Sequence, residues 1–81
     1  MLIRSQNRKF IVNLQNVDCL GITDDGDIEI NAFNGAAETL LGFYSAEEKA
    51  IKVLDKIQDM YASSFPPVKV FQMPADEEVT L

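Results

Sequence analysis

The sequence predicts an α+β fold, a small antiparallel β-meander sheet with one amphipathic helix packed on one face. Three observations predict it. Over residues 44–61, Ala50, Val53, Leu54, Ile57, Met60 and Tyr61 recur at three- and four-residue steps, and Glu48, Lys49, Lys52, Asp55, Lys56 and Asp59 fill the opposite side. Ile28, Ile30 and Ala32 alternate with Glu29, Asn31 and Phe33, the period of a half-buried strand. Asp25-Gly26 and Asn34-Gly35 flank that segment, and both pairs tolerate the positive φ angles of tight hairpins.

Residues 2–5 and 10–14 read as two short strands with Gln6-Asn7 in the turn between them. Residues 17–23 form a third strand, with Gly21 as a bulge candidate. The turn Asp24-Asp25-Gly26-Asp27 leads into the alternating strand, and residues 38–43 return from Asn34-Gly35. Ser45 followed by Glu48 has capping-box spacing, so the helix is expected to start at Ser45 and fade by Ala62-Ser63-Ser64. Pro66-Pro67 forbids its continuation, because proline lacks the N–H and clashes with the preceding turn. Residues 68–72 are a last strand, stopped by Pro74. Residues 1–74 are therefore expected as a single α+β domain and residues 75–81 as an acidic C-terminal tail, whose order the sequence leaves open.

At 81 residues, one domain of this kind lies near the size where a single core only just suffices. A composition 47% hydrophobic and 25% charged is that of a globular chain. No apolar run approaches the roughly 20 residues of a membrane span, and no signal-peptide pattern follows Arg4 and Arg8. The single cysteine, Cys19, cannot form an internal disulfide, and a reducing cytoplasmic setting is expected. Net charge is −6. Arg4, Arg8 and Lys9 open the chain without an acid among them, whereas residues 10–48 contain no Lys or Arg and eight carboxylates. Such a field repels phosphate backbones unless a local basic patch overrides it, so direct nucleic-acid binding is not expected.

The chain has no histidine, which removes Cys–His and Ser–His nucleophilic pairs and the usual transition-metal ligand sets. No phosphate-cradling glycine motif is present. Asp24-Asp25-Gly26-Asp27-Ile28-Glu29 is the densest carboxylate cluster, but its glycine comes too early for a calcium loop and a strand pattern follows it. It reads as a solvated hairpin turn that binds no calcium. Cys19 reads as core packing, with Asp18 beside it disfavouring a thiolate. The Glu and Lys residues of the helix read as an exposed face of i,i+4 pairs. No catalytic residue, cofactor or metal is expected. Most aromatics are needed for the core. Phe33, whose parity opposes Ile28, Ile30 and Ala32, and Phe71 are the candidates for a partner interface.

The run Gly42-Phe43-Tyr44-Ser45, then Glu47, Glu48, Lys49-Ala50, Val53-Leu54 and Ile57, with Met73-Pro74 and the opening Ile3-Arg4-Ser5, resembles a group of short uncharacterised proteins. These come from Gram-positive Firmicutes, their phages and mobile elements. The resemblance covers most of the chain and rests on packing and capping residues. It implies a bacterial cytoplasmic setting and carries no site residue.

Two functions from different classes remain. One is a non-enzymatic protein-interaction module that self-associates or binds another protein through an exposed strand edge or the sheet face the helix leaves open. The other is an acidic inhibitor that mimics nucleic acid toward a basic target protein, suggested by the carboxylates of residues 10–48. An enzyme is the weakest reading, since no base–nucleophile pair exists to build on.

Overall fold

The chain begins with two strands, β1 (Leu2–Arg4) and β2 (Ile11–Asn13), paired antiparallel with Ile3 opposite Val12. The structure, a computed structural model, describes all residues, Met1–Leu81. The hairpin between these strands is held by side chains. Ser5 Oγ donates to Asn7 Oδ1 (2.7 Å) and accepts from Phe10 N (3.0 Å), and Lys9 N donates to Asn7 Oδ1 (2.9 Å). Arg8 takes φ 66° there, a left-handed conformation that costs a non-glycine residue roughly 1 kcal/mol.

β3 (Cys19–Asp25), β4 (Asp27–Asn34) and β5 (Ala37–Tyr44) form the antiparallel meander. Gly26, at φ 95°, joins Asp25 to Asp27. The second turn is centred on Gly35-Ala36, one residue later than Asn34-Gly35. Only Gly35 has positive φ (61°), the arrangement of a II′ turn, which places glycine first. Asp18 Oδ2, just before β3, accepts from Gly35 N (2.8 Å) and secures that turn. The register slips between Ile30 and Asn31, so Leu41 is an extra residue in β5. The bulge puts Thr39 and Tyr44 on one face although five positions separate them. It also allows Leu41 and Tyr44 both to be buried.

The helix α1 (Glu47–Ala62) packs on the meander, burying Ala50, Val53 and Ile57 against the face that carries Ile30 and Ala32. Leu54 is only partly buried, so the stripe centres on Val53. This is the expected α+β architecture, a three-stranded meander with one helix on it. The strands do not form one continuous sheet, however. β6 (Val70–Gln72) pairs parallel to β1, giving a separate three-stranded sheet in the order β2-β1-β6. Ile3 and Phe71 from that sheet join Ile30, Leu41, Tyr44, Val53 and Met73 in one core.

One local expectation is corrected. Ser45 is not the helix cap. Ala46 occupies that position without a side-chain bond, and Ser45 N and Oγ instead donate to Asp76 Oδ1 (2.8 and 3.1 Å). The acidic segment 75–81, whose order the sequence leaves open, is tied to the domain. Val79 is buried in the core, Glu78 Oε1 accepts from Ala75 N (2.8 Å), and Lys52 Nζ donates to Thr80 O (2.5 Å). Lys49 Nζ donates to the Asp76 carbonyl and pairs with its carboxylate at 3.5 Å, the only ion pair in the molecule.

The Ser45 amide above all, then the Ser45 hydroxyl and the Lys49 ammonium, hold the Asp76 carboxyl below the ordinary aspartate range against an opposing contribution from burial. A carboxyl depressed in the folded state adds stability above its unfolded pKa and loses it as pH falls through the folded value. Thermal melts should therefore show this contribution intact above about pH 5 and declining below about pH 4. Asp76→Asn is expected to flatten that part of the acid limb. Parallel melting curves for both proteins across the range would contradict the assignment.

Candidate interaction surface

The parity of β6 is set by its parallel partner. Leu2 N donates to Lys69 O (3.0 Å) and Met73 N to Arg4 O (3.0 Å), so Lys69, Phe71 and Met73 turn their main-chain groups toward β1. Val70 and Gln72 must then point theirs away from the sheet, along an edge with no strand beyond it. Lys69 fixes the approach to this strand by donating from Nζ to the Tyr61 carbonyl (3.2 Å) and the Ser63 carbonyl at the end of α1.

The side chains beside this edge are apolar and open to solvent. Val70 is 54% exposed and Val68, two residues before it, 81%. Leu2, directly opposite Val70 in the ladder, and Ile11, diagonal to Leu2, extend the exposed apolar positions across the outer face of the sheet. Isolated exposed apolar residues are ordinary, but a group aligned with an unpaired strand edge is a template for another chain.

The two sequence candidates are separated by the fold. Phe71 faces Ile3 on the inward side of the β2-β1-β6 sheet and is buried in the core, so it offers nothing to a partner. In Val-Lys-Val-Phe-Gln the two valines compete with phenylalanine for the inward parity, and pairing with β1 decides for phenylalanine. Val70 is the residue presented instead. Phe33 lies on the meander face away from α1, opposite Cys19, and is half-buried. Its ring covers Gly21, where a Cβ would stand 3.2 Å from it.

The same face carries a closed polar group. Asn31, fully buried, donates to Thr23 Oγ1 (2.9 Å) and Glu29 Oε1 (3.3 Å). Cys19 is exposed at the start of β3 rather than packed in the core.

Burial chiefly, with the Asp76 and Glu78 carboxylates behind it, pushes the Tyr44 phenol well above its ordinary value, and its hydroxyl is committed to the Pro74 carbonyl (2.8 Å). No three His, Cys, Asp or Glu side chains are gathered as a metal site requires. A shallow cavity of about 60 Å³ lies between Gln6, Asn7 and the segment Leu40 to Phe43. It has room for a water or two and is far below the roughly 300 Å³ of a small-molecule pocket. No helix is long and apolar enough to cross a membrane. Compared with known proteins, the chain matches no family model, no curated protein and no solved structure.

Proposed function

We propose that this protein is a non-catalytic protein-interaction module that self-associates through the free edge of β6. The observation that carries the reading is the coincidence at one place of unpaired main-chain groups at Val70 and Gln72 with the exposed side chains of Val68 and Val70. Two copies related by a twofold axis would pair β6 antiparallel to β6, extending the sheet across both molecules. A strand this short supplies few main-chain bonds, so the apolar side chains must provide much of the affinity.

Such a contact is only weakly sensitive to salt. Sedimentation at several concentrations should show a monomer–dimer equilibrium on the order of micromolar that changes little between low and high salt. Val70→Lys, which places a charge on the edge, should abolish it without unfolding the protein. A strict monomer throughout, or dimers indifferent to Val70→Lys, would defeat the proposal.

The acidic-inhibitor reading draws on a different surface. Asp18, Asp24, Asp25, Asp27, Glu29 and Glu38 lie in or beside the meander with no basic side chain among them. Its signature would be a monomer whose capture of a basic protein weakens steeply as salt rises.

A further inference from the structure

The fold sorts charge by sheet. Residues 1–17 and 60–75, which supply all of β1, β2 and β6, carry Arg4, Arg8, Lys9 and Lys69 and no carboxylate. The rest of the chain holds all 13 carboxylates against three lysines. The segregation is legible only once β6 is known to join β1, because the two basic segments are far apart in sequence. Lys69 is occupied at the end of α1, leaving Arg4, Arg8 and Lys9 clustered at the β1–β2 hairpin. None of the three has an ion-pair partner.

The corner is rigid as well as basic. Arg4 Nε and Nη2 both donate to the Arg8 carbonyl (3.3 and 3.1 Å), and Asn7 and Ser5 fix the turn around it. Arg8 holds a left-handed backbone that glycine would adopt at no steric cost. Beside these cations Phe10 is 51% exposed and Ile11 55%, and the outer edge of β2 is unpaired.

We infer that this corner is a docking surface for a short acidic polypeptide segment with interspersed apolar residues, supplied by another protein. The cations meet its carboxylates, and a segment laid along the β2 edge sets its alternate apolar side chains beside Ile11 on one face and Phe10 on the other, while Ile11 offers main-chain groups on that edge. A long phosphate backbone fits less well, because beyond the corner it would run against the carboxylates of the meander. The inference rests on reading the protein as an interaction module, but it uses the edge of the sheet opposite β6.

The test is fluorescence anisotropy with a labelled peptide of alternating Glu and Val, its Lys-for-Glu counterpart, and a single-stranded oligodeoxynucleotide. The acidic peptide alone should bind at low salt. Arg8→Glu combined with Lys9→Glu should weaken it roughly tenfold or more. Arg8→Gly should also weaken binding while leaving the melting temperature unchanged or raised, which separates recognition from folding. Val70→Lys should leave peptide binding intact even where it abolishes self-association, so the two proposals fail separately. No binding at low salt, equal binding by the charge-reversed variant, or preference for the oligonucleotide would overturn the inference.

Discussion

Leu41→Ala is expected to destabilise the protein by about 2–5 kcal/mol, the range for a buried leucine whose cavity cannot fully collapse. Leu41 is fully buried and is the extra residue of the β5 bulge, so its backbone is fixed by strand pairing on both sides of the slip. Tyr44, from the same core cluster, is itself held through its bond to the Pro74 carbonyl. In so small a domain such a loss removes much of the total stability. Leu54→Ala, on the partly buried flank of α1, should cost distinctly less. Denaturant melts of the two variants test this order. The reverse order would mean that the helix faces the core along its Leu54 side.

Ending the chain at Pro74 is expected to be nearly as costly, about 2–4 kcal/mol, from exposing the Val79 site and the apolar surface it covers. Val79 is buried, and the strap that carries it is tied at Ser45, Lys49 and Lys52. The truncated protein should melt well below the full chain and show exposed apolar surface by dye binding. Val79→Asp in the full chain should reproduce the effect with every other tie present, since it places an unpaired carboxylate in the core. An unchanged melting curve for the truncated chain would show the segment to be an accessory rather than part of the domain.

What was legible in the sequence was local. The alternation of Ile28, Ile30 and Ala32 and the glycine turns on either side give β3, β4 and β5 within a few residues, and the apolar stripe gives α1 nearly to its ends. What was not legible depended on distant partners. Ser45 has the spacing of a capping residue, yet Asp76, 31 positions away, takes its amide and hydroxyl. Asp76, Glu77 and Glu78 read as solvated tail, and nothing local shows that Val79 after them is drawn into the core. The parallel pairing of β6 with β1 joins opposite ends of the chain, and that pairing alone decides that Phe71 points inward and Val70 outward. An exposed strand edge was expected, but not that it is β6 with Val70 presented, for the same reason: its parity is set by β1, and local alternation could not supply it.

Amide hydrogen exchange at Val70 and Gln72, followed as protein concentration rises, tests the self-association proposal most directly. Both N–H groups point along the free edge of β6, while that of Met73 is bonded to β1 within each molecule. The proposal predicts rapid exchange at Val70 and Gln72 in dilute protein, slowing as the dimer fills, with Met73 protected throughout and Val70→Lys cancelling the concentration dependence at Gln72. Exchange at these two amides that is equally fast at every concentration, in protein that nonetheless associates, would place the interface elsewhere and contradict it.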